Sequence, residues 1–289
     1  MKSSKSILFL SDIHCGSYYA PCTEKPYIAQ AKTYWNPTKL QRKLLKYWRW
    51  IKEELIQQPY LICINGEPID GDNKKENGGG LWSNNQDDQI NDFCKLMKQY
   101  QPKHITMTRG SGYHIQKDNF SFEDIVAQRL GVKPYQTMHE AERYRQWDDN
   151  RNQKIIIDDI RTFDVNGCIF NVAHHIGYNK AYHNKSQAVT AMLASLEFMR
   201  GKYWKPKDFP HIVVRGHVHY YVLVGFARIR GFTEPTLKLS MDRYFTRQGV
   251  PEPPSIGAVE VIVESNGHAM IEPHIITNDM YPKFDITRY

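Results

Sequence analysis

Five short polar clusters in this 289-residue chain carry residue types that bind divalent metals. They are Ser11-Asp12-Ile13-His14, Asn65-Gly66-Glu67-Pro68-Ile69-Asp70-Gly71, Arg109-Gly110-Ser111-Gly112-Tyr113-His114, Ala173-His174-His175 and Arg215-Gly216-His217-Val218-His219. Imidazole nitrogens mixed with carboxylate oxygens suit zinc, manganese or iron. One apolar residue separates Asp12 from His14, and another separates His217 from His219. Side chains alternate along an extended chain, so each pair is expected to act as a two-toothed claw. A carboxylate can bridge two ions about 3.5–4 Å apart, and such a pair can activate water and neutralise a phosphoryl oxygen during in-line displacement. Any one cluster is a common surface feature. All five, in order and each behind an apolar run, point to a metal site.

Bringing five loops together requires strands that end at one place. Ile7–Leu10, Tyr60–Ile64 and His104–Thr108 read as strands, each ending at one of the first three clusters. Between them, Asn36-Pro37 is expected to open a helix with Asn36 as its cap. Leu40, Leu44, Tyr47, Trp48, Ile51 and Leu55 then recur at helical spacing. Ile90–Tyr100 reads as a second helix with Asp87 and Asp88 at its start, and Phe120–Leu130 as a third, closed by Gly131. The later half is strand-rich, with strands expected at 154–157, 162–165, 168–173, 212–215, 222–227, 236–239, 258–264 and 268–271, and one helix at 186–199. Ligands in α/β sheets bind outside the carboxyl ends of strands, where all five clusters fall. The reading is an α/β fold: one domain over 1–289, a double mixed β-sheet sandwich flanked by helices, with loop insertions near 15–37, 71–88 and 133–153.

Taken in order, the clusters resemble the signature of the calcineurin-like metallophosphoesterases: D-x-H, then G-D-x-x-D, then G-N-H-D/E, then a lone His, then G-H-x-H. The resemblance runs from Asp12 to His219. It implies that family's double β-sandwich fold and hydrolysis of phosphate esters by two divalent metal ions with a bridging hydroxide. It also implies residue roles. Asp12, His14 and His219 would hold one metal, His174 and His217 the other, and Glu67 would bridge. His114 would be the catalytic histidine, oriented by Asp70. His175 is an alternative to His174. The chain departs from the pattern twice. Glu67 stands where the family has aspartate, and Gly110-Ser111-Gly112-Tyr113-His114 is longer than G-N-H-D and has no asparagine. Ser111, a water or a bidentate Glu67 could fill the asparagine's place.

Composition narrows the rest. Hydrophobic residues at 41% and charged residues at 24% fit a globular domain with its own core. Five scattered cysteines with no CxxC pair exclude a disulfide framework or cysteine zinc site, and reduced thiols suggest a cytoplasmic protein. The apolar run Ile7–Leu10 is too short for a signal peptide, and no run approaches the ~20 residues of a membrane span. A net charge of +7 permits a polyanionic partner. Arg42, Lys43, Lys46, Arg49, Lys52, Lys74, Lys75, Arg109, Lys117 and Arg215 favour a phosphodiesterase or nuclease acting on nucleic acid or a nucleotide. The alternatives are a phosphomonoesterase for a small molecule or phosphoprotein, and a non-catalytic binding protein with a decayed site. His104, His139, His183, His211, His268 and His274 have no partners in sequence and are expected outside the site. Protein partners are unknown.

Overall fold

The computed structural model describes residues 3–55, 59–73, 78–112, 116–117, 120–132, 147–148, 153–154, 157–177, 184–200, 202, 208–226, 228–239 and 254–276. Its strands are β1 (Lys5–Leu10), β2 (Tyr27–Ile28), β3 (Thr33–Tyr34), β4 (Leu61–Asn65), β5 (His104–Thr108), β6 (Gln116–Lys117), β7 (Phe120–Ser121), β8 (Trp147–Asp148), β9 (Gln153–Lys154), β10 (Ile160–Val165), β11 (Cys168–Ala173), β12 (Ile212–Arg215), β13 (Val222–Gly225), β14 (Arg230–Thr233), β15 (Gly257–Val263) and β16 (Ala269–Ile275). The helices are α1 (Lys39–Trp50), extended by a π-helical turn over Ile51–Leu55, then α2 (Gln86–Lys98), α3 (Phe122–Leu130) and α4 (Gln187–Met199).

Two five-stranded mixed sheets dominate, with strand orders β16-β15-β1-β4-β5 and β10-β11-β12-β14-β13. β1, β4 and β5 run parallel, as do β11, β12 and β14. The pleat of β1 explains the layering. Ile7 and Phe9 point into the core between the sheets, where they meet Phe170, Val172, Ile212, Val214 and Phe232. Leu8 and Leu10 point the other way, into a second core with Leu44, Trp48, Phe93 and Val126 of α1, α2 and α3. α4 covers the far face of the second sheet through Val189 and Leu193, packed on Val213 and Ile229. A strand buried on both faces must be apolar throughout, which is why Ile7-Leu8-Phe9-Leu10 reads as an unbroken run. The architecture is a double mixed sandwich flanked by helices.

Local signals set the helix ends. α1 is capped by Thr38, two residues after the Asn36 cap that the Asn-Pro signal predicts. Thr38 and Gln41 form a reciprocal capping box, which satisfies two amide donors where Asn36 would satisfy one. Asn85 caps α2 and Ser121 caps α3, while Gly131 ends α3 in a left-handed conformation. The expected strand at 236–239 is not formed. Only Thr236 makes an isolated bridge, to Ile256, and the segment crosses beneath the site instead. The strand in that region is β14, whose Arg-Gly-Phe-Thr sequence has no alternating pattern to betray it. The 15–37 insertion carries the small β2/β3 ribbon, and most of 133–153 lies outside the described residues. Among the described residues no helix is long and apolar enough to cross a membrane.

Candidate metal centre

All five clusters follow strands whose carboxyl ends meet along one edge of the sandwich: β1, β4 and β5 from one sheet, β11 and β12 from the other. The loops after β1 and β4 are zipped together. The Ile13 and His14 amides both donate to Glu67 O at 3.0 Å, and the Cys15 amide donates to Pro68 O at 3.0 Å. The claws do not arise from extended chain. Asp12, His14, Glu67, His217 and His219 all have positive φ, at 51°, 52°, 50°, 71° and 58°. Non-glycine residues rarely adopt this left-handed region, and each such residue costs on the order of 1–3 kcal/mol. Five at one site mean that the surrounding contacts impose the conformation. Ile13, buried between its two neighbours, is the anchor that lets both aim the same way.

The side chains form two groups that share Glu67. One contains Asp12, His14, Glu67 and His219, and the other Glu67, His174 and His217, with ligand atoms within 4.8 Å of one another in each. In the first, His219 Nε2 lies 2.9 Å from Asp12 Oδ1, and His14 Nε2 lies 2.9 Å from Glu67 Oε2. In the second, His174 Nε2 is 3.5 Å from Glu67 Oε1 and 3.8 Å from Asp12 Oδ1. That nitrogen is buried and has no hydrogen-bond partner. A buried polar atom without a partner is costly, and a cation between it and the two carboxylates would satisfy it. The donor set of nitrogens and carboxylate oxygens fits such an ion. His175 is exposed, with its ring 5.3 Å from that of His174. His174, buried, is the one aimed at the carboxylates.

Charge density matches this geometry. Burial by itself would raise the Asp12 carboxyl, but nearby His219 and His174 overcome it and hold Asp12 well below the usual carboxylate range. Burial and Lys238 would lower His14, yet Glu67 and Asp70 outweigh them and push it up to about 9. His174 likewise resists burial, raised by Asp12 and Glu67 to about 10. His217 is lowered, first by burial and then by His174. Protons on these rings do what a dication would do, so metal binding must release them.

A supporting shell fixes the rings. Asn65 O accepts a hydrogen bond from His174 Nδ1 at 2.8 Å, which leaves Nε2 to face the carboxylates. Asp70 Oδ1 accepts from His14 Nδ1 at 2.7 Å and from Lys238 Nζ at 2.9 Å. Asp70 is thus seen orienting His14. His114, which it was expected to orient, lies outside the described residues. The Asn65 side chain donates to Ala173 O and Glu234, and accepts from Thr108, tying both sheets together under the site. Ser111 donates to Glu67 Oε1 through both its hydroxyl and its amide. Glu123, Lys238 and Glu234 had no signal in sequence spacing, since each arrives from a distant element. Asn65 did, because it opens the Asn65-Gly66-Glu67 cluster. Four of the basic residues expected to favour a polyanion are engaged within the chain: Arg109 pairs with Asp124 at 3.1 Å, Arg49 pairs with Glu24 at 2.9 Å, Arg42 donates to Pro37 O, and the buried Arg215 guanidinium bonds Asn171. Lys74 and Lys75 lie outside the described residues.

No family model matches the chain, and no curated protein matches it either. Several solved structures resemble it in shape. Vacuolar protein sorting 29 of Cryptosporidium parvum is 8% identical with a TM-score of 0.43, over 96% of this chain and 100% of that one. Vps29 of Entamoeba histolytica, solved with zinc, is 8% identical with a TM-score of 0.39, over 93% and 98% of the two chains. An archaeal phosphodiesterase is 11% identical with a TM-score of 0.40, over 93% and 99%.

Proposed function

We propose that this chain is a calcineurin-like metallophosphoesterase, a hydrolase of phosphate esters that works with two divalent ions held between its two sheets. The observation that carries the proposal is the pair of ligand groups sharing Glu67, beside which His174 Nε2 is buried and unsatisfied. Asp12, His14 and His219 would hold one ion, His174 and His217 the other, and Glu67 both. Manganese, zinc or iron would suit this set. When bound, the ions supply an activated water at neutral pH and Lewis acidity toward a phosphoryl oxygen. The chain's own groups do the positioning. Asn65 O fixes the His174 ring, Asp70 fixes that of His14, and the buried Lys238 offsets the charge of the buried Asp70. His114, following β5, is assigned by its place in sequence to meet the phosphate or to protonate the leaving oxygen.

The ester class favoured is a phosphodiester, in nucleic acid or a nucleotide. It rests on the net charge of +7 and on the basic face of α1 at Arg42, Lys43, Lys46 and Arg49, continued by Lys52 in the π-helical turn, which lies opposite the face packed on the first sheet. The test is turnover of a nitrophenyl phosphodiester against the matching monoester, with manganese, zinc or EDTA. Metal-dependent, EDTA-sensitive cleavage that prefers the diester supports the reading. Preference for the monoester makes the chain a phosphomonoesterase. Tight metal binding without turnover of either ester makes it a binding protein.

A further inference from the structure

The helix α3 contributes a buried carboxylate that no spacing argument singles out. Glu123 stands in the first turn of α3 and is wholly buried. Its Oε1 accepts the Glu67 amide at 3.0 Å and the Gly110 amide at 3.1 Å, while Oε2 also accepts the Gly110 amide at 3.0 Å. One side chain therefore joins the loop after β4, the loop after β5 and the helix. It grips Glu67 at a residue whose φ of 50° must be imposed from outside. The fit is close: a Cβ on Gly110 would lie 2.6 Å from Glu67 Cγ and 3.2 Å from Glu123 Oε1. Ser111, next in the loop, holds the other end of Glu67 by its carboxylate. The carboxylate end of the candidate bridge is thus held from the β5 loop and its backbone end from α3, whose Glu123 also sets that loop against Glu67.

We infer that Glu123 is a positioning residue for the metal bridge: it fixes the backbone of Glu67 so that the Glu67 carboxylate reaches both ligand groups. The inference rests on the two-metal reading of the site. Its test is calorimetric titration of the metal-free chain with Mn2+, with paramagnetic resonance of the loaded form to read the coupling between ions, in wild type, Glu123→Gln, Glu123→Asp and Glu123→Ala. Gln keeps Oε1, which alone accepts both amides, so it retains Mn2+ affinity within about threefold of wild type. Ala leaves two amides unpaired and loses about 10–100-fold in affinity, the range for supporting groups around a metal, with weakened coupling. Asp withdraws the acceptor by one C–C bond, about 1.5 Å, and falls between the two. It also stands in for Ala if the metal-free Ala variant no longer melts cooperatively. A role confined to folding would lower the melting temperature and leave affinity and coupling at wild-type values, which overturns the inference. So would a Gln variant as damaged as Ala, because charge and not the amide clamp would then matter. A wild-type chain that binds no Mn2+ fails earlier, at the two-metal reading, and is recognised by that.

Discussion

At the scale of single residues, the site is organised around hydrogen bonds that choose which nitrogen of each ring is presented. His14 gives Nδ1 to Asp70 and His174 gives Nδ1 to the Asn65 carbonyl, so both offer Nε2 to the carboxylates. Asp70 is therefore the partner that can be removed by mutation without touching a candidate ligand. Asp70→Ala frees the His14 ring and is expected to lower manganese affinity about 10–100-fold. Asp70→Asn keeps an acceptor at the same reach and should lose less. Isothermal titration of the two variants checks this, and wild-type affinity in Asp70→Ala would remove Asp70 from the orientation of His14. Glu67 follows the same logic from the other side. Its extra methylene relative to aspartate lets the carboxylate reach His14, His174 and Ser111 together.

At the scale of elements, loop backbones do the aiming. The loops after β1, β4 and β12 carry their candidate ligands in left-handed conformations, and glycines let those loops pass close to one another. A Cβ on Gly216 would lie 2.3 Å from Ser11 Oγ and 2.8 Å from His174 Nδ1. Gly216→Ala should therefore push the His217/His219 loop away from Asp12. A cost of about 1–3 kcal/mol is expected from the crowding, together with weaker metal binding. Thermal melts with and without manganese check it, and an unchanged melting temperature with unchanged affinity would show that the loops can separate freely. The sequence made much of this legible. The unbroken apolar run at Ile7–Leu10 marked a strand buried on both faces, and the spacing of Asp12 to His14 and of His217 to His219 marked the claws. The mechanism of aiming was not legible, because alternation in an extended strand and alternation of left-handed residues give the same spacing. Thr236–Leu239 forms no strand although the alternation of Leu237 and Leu239 with polar residues mimics one. In the fold those polar residues serve the site: Thr236 donates to Asp12 O, and Lys238 reaches Asp70. Glu123 and Glu234 could not be found from local pattern, since Glu123 accepts from Gly110 and Glu67, 13 and 56 positions away, and Glu234 accepts from Asn65, 169 positions away.

At the scale of the whole molecule, charge couples the site to stability. Without metal, His14 and His174 are raised to about 9 and about 10, chiefly against burial by neighbouring carboxylates, while burial raises Glu123 and Glu234 to about 8. All four bind protons more tightly folded than unfolded. The stabilisation from the two histidines is complete below about pH 6.5 and is lost as pH rises through 9 to 10, and the two glutamates add a loss of the same sign up to about pH 8. Asp12 has the opposite sign, but its stabilisation is complete once pH exceeds the ordinary carboxylate range. His217, lowered by burial and by His174, also opposes, near and below pH 6.5. The metal-free chain should therefore melt at progressively lower temperature from pH 7 to pH 9.5, and saturating manganese should flatten that slope by replacing the protons. A metal-free melting temperature that rises over this range contradicts the charge assignment.

The proposed centre holds two divalent ions between the two sheets through a shared Glu67. The most direct test is the metal stoichiometry of the chain, stripped with chelator and reloaded with manganese or zinc, measured by plasma mass spectrometry on wild type, His174→Ala and His219→Ala. Two ions per chain are predicted for wild type, with His174→Ala losing occupancy at the second group and His219→Ala at the first. A folded wild-type chain that takes up no more metal than a double variant lacking both His174 and His219 would contradict the account.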